Sequence, residues 1–113
     1  MEKERRFFVR FSMSGIVVLQ LDPKKPDMIN CELNDLSFDG IGMNSPQQLI
    51  PGTRVKFLIV NRQLNVNIGG MARVVYCNPI KYNGRDYFRV GLEFIQVDHE
   101  QVKAILKNIQ QIS

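Results

Sequence analysis

From Gly15 to Phe94 the chain is a succession of short apolar runs cut by turn-forming clusters, and the spacing within the runs is that of strands. Gly15-Ile16-Val17-Val18-Leu19-Gln20-Leu21 is compact and β-branched, which suits a pleated surface. Asp22 to Asp27, with two prolines and four charges in six residues, predicts an exposed loop. Met28 to Leu33 resumes the alternation as a partner strand, and Ile41-Gly42-Met43 forms a short one. Val55, Phe57 and Ile59 share one face of the next run, and after a reversal at Asn61-Arg62-Gln63 the alternation returns at Leu64, Val66 and Ile68. Gly69-Gly70 inside that pattern predicts a bulge or a corner before Met71 to Tyr76. Asn83-Gly84 predicts a type I′ hairpin into Asp86 to Phe94, where Val90, Leu92 and Phe94 make one apolar face. So many consecutive strands predict an antiparallel barrel.

The period changes at the end of the chain. Asp98 is placed to cap a helix, with Gln101 three residues on, and Val102, Ile105, Leu106, Ile109 and Ile112 recur at helical spacing. That stripe needs a partner. The reading adopted is that it closes one mouth of the barrel; the competing reading is a dimerisation helix.

Composition bounds the rest. With 113 residues, 44% of them hydrophobic, the chain suffices for one domain with one core. A net charge of +4 favours an anionic partner without the density of a nucleic-acid arm. Cys31 and Cys77 lack C-x-x-C spacing, which predicts two reduced thiols and a reducing compartment rather than a zinc site. No apolar run approaches the roughly 20 residues that span a bilayer, and the charged opening is not followed by a signal-peptide core, so membrane insertion is not expected and a cytoplasmic location is. The single histidine, His99, falls in the second position of the predicted helix, and neither a metal-binding cluster, a nucleophile elbow nor a P-loop occurs. No catalytic or metal-ligating residue is assigned, and the chain is expected to bind rather than catalyse.

Two clusters carry the candidate chemistry. The first is Glu4-Arg5-Arg6-Phe7-Phe8-Val9-Arg10, in which Arg6 and Arg10 share a side in either an extended or a helical segment. Guanidinium forks at that spacing suit phosphate, the guanine edge or a base face. The interleaved Phe7, Phe8, Val9 and Phe11 are expected to staple the segment to the body, with base stacking as the other use of an aromatic there. The second cluster, Asn34-Asp35-Leu36-Ser37-Phe38-Asp39-Gly40, reads D-x-S-x-x-G at the end of a predicted strand. The Asp35 carboxylate is an acceptor for the N1–H and N2–H₂ donors of guanine, Ser37 is a donor for phosphate or base, and Gly40 permits positive φ or close backbone approach. Each also has an ordinary turn role.

R-R-x-x-x-R followed by D-x-S-x-x-G, ahead of a run of strands and a final helix, resembles the PilZ family of bacterial receptors for cyclic di-GMP. The resemblance covers nearly the whole chain. It implies a six-stranded antiparallel β-barrel with a C-terminal helix, organised as an arm over residues 1–13, a barrel over 14–96 and a helix over 98–112. It implies Arg5, Arg6, Arg10, Asp35, Ser37 and Gly40 as the cyclic di-GMP site, and an arginine at Arg5 goes with capture of an intercalated pair of ligand molecules. A stacked pair brings four phosphates together, and a third guanidinium offsets their repulsion. The arm is then expected to become ordered on binding and to present a new surface to an unidentified protein effector, in motility, exopolysaccharide or pilus control. Two other readings compete: a PilZ-like adaptor that needs no nucleotide, and a basic barrel for single-stranded nucleic acid. The intact motifs count against the first, and the concentration of basic and aromatic residues in the arm counts against the second.

Overall fold

The structure, a computed structural model, describes residues 9–22 and 24–112. Seven strands precede one helix: β1 (Phe11–Ser12), β2 (Ile16–Gln20), β3 (Met28–Leu36), β4 (Gly40–Ser45), β5 (Arg54–Asn61), β6 (Val66–Tyr82), β7 (Arg85–Gln96) and α1 (His99–Ile112). Every pairing is antiparallel, in the order β3-β2-β5-β6-β7-β4, and β4 returns to β3 to close a six-stranded barrel. Closure leaves no edge in the barrel wall, and the β6–β7 hairpin beyond Arg73 and Phe88 runs past its neighbouring strands.

The interior follows from alternation. Val17 and Leu19 of β2, Cys31 and Leu33 of β3, Val55, Phe57 and Ile59 of β5, and Val90 and Leu92 of β7 all point inward and are buried. Phe57 stacks on Phe94 with ring centroids 5.4 Å apart. β6 is long enough to serve two neighbours, pairing with β5 as far as Arg73 and with β7 from Met71 to Tyr82. Its register slips between Met71 and Ala72, one residue beyond the glycine pair expected to mark a bulge, and again between Val74 and Tyr76. Leu64, expected to begin this strand, lies instead in the preceding turn, which Asn65 closes at φ 56. Asn83 and Gly84 take φ 53 and 76, the paired positive values of a type I′ turn.

The helix covers the mouth. Asp98 Oδ1 accepts from the amides of Glu100 and Gln101, as a capping residue does. Val102 is fully buried, and Ile105, Leu106 and Ile109 pack on the core. At one end the His99 ring lies 4.8 Å from that of Phe38, in the β3–β4 turn; further along, Gln101 Nε2 donates to the Asn67 carbonyl. Ile109 reaches Ser12, Met13 and Leu64 around a small cavity. From Val102 to Ile109 the stripe is thus satisfied within the chain.

β1 pairs Phe11 with Leu36 and Ser12 with Asp35, so strand pairing extends into the segment read as the arm. β1 and β2 lie along the same flank of β3, and backbone bonds from Met13 to Asn34 and from Leu33 to Gly15 bridge the interruption between them.

Both cysteines are free, and burial pushes the Cys31 thiol up from 9.0 to about 11, against a lowering hydrogen bond with Ser45. Because the folded value lies above the unfolded one, the stability this group contributes is complete below pH 9.0 and lost as pH rises toward about 11. Denaturant titrations between pH 8 and 11 should show a steeper loss of stability in the native sequence than in Cys31→Ala.

Candidate functional site

The motif residues converge on the outside of the barrel. β3 carries a bulge between Leu33 and Asp35, so Asn34 is the extra residue and Asp35 turns outward beside it. Ser12 of β1 lies opposite Asp35, and two residues before it Arg10 projects to the same side. Arg10 Nη1 donates to Asp35 Oδ1 at 2.7 Å, an ion pair whose side chains remain 46% and 28% exposed. The structure therefore brings together one arginine of the first cluster and the carboxylate of the second, 25 residues apart in sequence. Arg5 and Arg6 lie outside the described residues.

Ser37 is fully buried, and its hydroxyl stays within the turn. It donates to Asp39 Oδ1 at 2.5 Å, with the Gly40 carbonyl at 3.2 Å, while the Ser37 amide donates to the same carbonyl at 2.9 Å. Of the two reasons for a glycine at Gly40, close approach is the operative one: a Cβ there would stand 2.0 Å from the Leu92 carbonyl oxygen of β7, and its φ is not positive. Ser37 and Gly40 thus shape and anchor the turn, leaving Asp35 as the motif side chain that faces out.

The floor beside Asp35 is built by residues that sequence reasoning missed. Across the outer face the register reads Asp35, Gly42, Gly91, Tyr76 over β3, β4, β7 and β6. Two glycines side by side make a shallow trough in which side chains from the neighbouring strands lie flat on the sheet. At one end the Asp35 carboxylate lies over Gly42, where a Cβ would stand 2.8 Å from Oδ1; at the other the Tyr76 ring lies over Gly91, where a Cβ would stand 2.3 Å from Cε2. Beside the ring, Arg10, Asp39, Gly40, Tyr76, Gly91 and Glu93 line a cavity of about 190 Å³, which neither Asp35 nor Gly42 borders. The carboxylate and the ring thus lie side by side over the paired strands β4 and β7, roughly 5 Å apart at the backbone, and form a flat surface on which a planar ring can lie.

The chemistry available is recognition of an anion with a flat, donor-bearing ring. Asp35 has its second oxygen for donors, Arg10 has further N–H groups, and Tyr76 offers a π-face. Among the described residues no group of three His, Cys, Asp or Glu side chains could hold a metal ion, and no helix is long and apolar enough to cross a membrane.

Among curated proteins, no relative matches the sequence. Solved structures do match the fold. Inhibitor of motility (MotI/DgrA) from Bacillus subtilis superposes with a TM-score of 0.74 at 17% identity over 95% of this chain and 50% of its own. The PilZ domain with c-di-GMP of YcgR from Escherichia coli gives 0.73 at 18% identity, over 95% and 90%. The MrkH–c-di-GMP complex of K. pneumonia gives 0.74 at 14% identity, over 95% and 53%. This chain thus spans about half the length of the MotI and MrkH proteins. At these identities the likeness is one of fold, but the sequence profile of the PilZ domain also matches residues 4–111, nearly every strand, both motifs and the helix, and the chain belongs to the PilZ domain family.

Proposed function

We propose that this protein is a non-catalytic cytoplasmic receptor for cyclic di-GMP that passes its state of occupancy to a protein partner. The observation that carries the reading is the Arg10–Asp35 pair standing over the Gly42–Gly91 trough, in a family whose solved members include two with c-di-GMP. Asp35 offers its carboxylate to the N1–H and N2–H₂ edge of a guanine laid beside it, and Tyr76 offers its face to the ring. Arg5, Arg6 and Arg10 hold the phosphates, Ser37 and Gly40 keep the turn in place, and the segment before Arg10 becomes ordered across the ligand. That arm, ligand and barrel rim together form what the partner reads. Arg5 points further, to an intercalated pair of ligand molecules per chain.

Calorimetric titration with cyclic di-GMP tests the reading. Binding is expected to weaken as salt rises, with saturation at two ligands per chain; one per chain would remove the intercalated pair. Arg10→Ala should cost roughly 1.5–3 kcal/mol, the range for hydrogen bonds to charged groups, and leave the melting temperature nearly unchanged, because exposed ion pairs contribute little to folding. Full binding by an Arg6→Ala, Arg10→Ala double variant would refute the clamp.

Base choice is a separate outcome. Cyclic di-AMP should bind far more weakly than cyclic di-GMP, since adenine offers an acceptor where Asp35 needs a donor. Equal binding would remove Asp35 from the readout.

Gly42→Ala should reduce affinity roughly tenfold, or about 1.4 kcal/mol, while leaving the Arg10 contribution to salt dependence in place. The added methyl moves the Asp35 carboxylate rather than the backbone. Unchanged affinity in a folded Gly42→Ala variant would show that the trough is not the ligand's floor.

A further inference from the structure

One row along the outer face from the trough lies a second polar assembly. Glu32, Asn44 and Arg89 are register neighbours on β3, β4 and β7. The Asn44 side chain, on a residue only 4% exposed, accepts from Asn34 Nδ2 at 2.9 Å and from Arg89 Nε at 3.0 Å, and donates to Glu32 Oε1 at 3.4 Å. Arg89 is thereby tied to an amide, and the ion pairs among the described residues involve carboxylates other than Glu32.

The β6–β7 hairpin continues past the last residue of β6 that β5 pairs, Arg73, and its end comes over β3. There Tyr82 OH donates to Glu32 Oε2 at 3.4 Å, and the Tyr82 and Tyr87 rings meet edge to face at 5.7 Å. The result is a groove of about 410 Å³ walled by Tyr82, Tyr87 and Pro46, with Asn30, Glu32 and Asn44 beneath. Both bonds to Glu32 are at the long limit for such contacts, so this exposed carboxylate keeps most of its acceptor capacity.

The neighbouring surface is aliphatic where a barrel exterior is ordinarily polar. Ile16 faces Val60 and Val18 faces Leu58 on the outside of β2 and β5, with Ile16 50% and Leu58 37% exposed. A second groove of about 440 Å³, bordered by Ile16, Val18 and Val60, adjoins the first at Gly15, Ile16 and Asn30.

We propose that this face of β2, β3 and β5 docks a protein partner through an arginine or lysine flanked by aliphatic side chains, the cation entering between Glu32 and the two tyrosines. Charge complementarity selects the occupant. A carboxylate beside aromatic faces attracts a cation and repels a phosphate or an acidic peptide, and a guanidinium can both bond Glu32 and stack on a ring. The wall of β2, β3 and β5 has no free edge, so a partner seated on it is held by side chains, with Ile16 and Leu58 supplying apolar contact. The assignment holds whether or not the chain binds a nucleotide. Asn44, bonded to both Asn34 and Glu32, joins the groove to the bulge that presents Asp35.

Amide-shift titration of the full chain with the tripeptide acetyl-Val-Arg-Val-amide tests this, with acetyl-Val-Glu-Val-amide as the control. The arginine peptide should give saturable shifts centred on Glu32, Asn44, Tyr82 and Tyr87, and the glutamate peptide none. Glu32→Gln should weaken binding roughly tenfold, the loss of one charge-assisted bond, while Glu100→Gln on the helix should leave it unchanged. Tyr82→Phe, which keeps the ring, should still bind, and Tyr82→Ala should lose most of the affinity. Equal shifts from both peptides, shifts centred elsewhere, or full affinity in Glu32→Gln would overturn the proposal. So would self-association of the free chain that Glu32→Gln abolishes, which would assign the surface to a second copy.

Discussion

Closure of the barrel runs through β3, nine residues that hydrogen-bond to β1, β2 and β4. A strand shared in this way has no freedom to slide, because a slip of one residue would turn Cys31, Leu33 and Leu36 out of the core. The register can change only by inserting a residue, and the bulge at Asn34 does so at the point where the chain needs it. Asn34 and Asp35 then both face outward, one toward Asn44 and the other toward Arg10, while Leu36 returns to the interior. The polar features of this face therefore hang on one local irregularity held between fixed neighbours. A site built there is as rigid as the barrel itself, which suits recognition of a planar ring better than a free loop would.

Alternation alone carried the prediction of the inward face, because Val55, Phe57 and Ile59, or Val90, Leu92 and Phe94, are apolar for one reason, the shared core. The helix was equally legible: Asp98 caps it and its stripe meets the mouth. Sequence reasoning was weaker on the outside, where nothing periodic constrains the choice of residue. Gly42, Gly91 and Tyr76 lie 32 or more residues from Arg10 and on three different strands; only the register of three strand pairs places them in one row with Asp35. Their roles come from juxtaposition, which no local pattern records. The tyrosine is further disguised by the slip between Val74 and Tyr76, because unbroken alternation from the buried Ala72 and Val74 would put it on the inner face.

Ser37 illustrates a different ambiguity. A serine in a turn can point its hydroxyl outward to a ligand or inward to its own backbone, and both uses demand the same residue. Packing decides between them. With Gly40 pressed against the Leu92 carbonyl, the turn lies flat on β7, and a fully buried hydroxyl is best satisfied by Asp39 and the Gly40 carbonyl. The motif is thus a means of aiming one carboxylate, with its serine and glycine acting through the backbone.

The remaining question is whether an aspartate already paired with Arg10 can serve a ligand. At 2.7 Å in a low-dielectric interior such a pair would be costly to disturb, but with side chains 46% and 28% exposed it belongs with surface ion pairs, worth about 0–1 kcal/mol. Displacing it would cost a ligand less than one decade of affinity. Nor is displacement required. Among the described residues only Oδ1 and Nη1 of the pair are engaged, so a guanine can take the second carboxylate oxygen while a phosphate takes the remaining guanidinium donors. In that arrangement Arg10 holds Asp35 in the rotamer the base requires, and the entropy of fixing both side chains is met before the ligand arrives. The ion pair is then preorganisation of the site rather than competition with the ligand. Its modest strength is an asset, because it orders the two groups without locking away the donors and acceptors they must present.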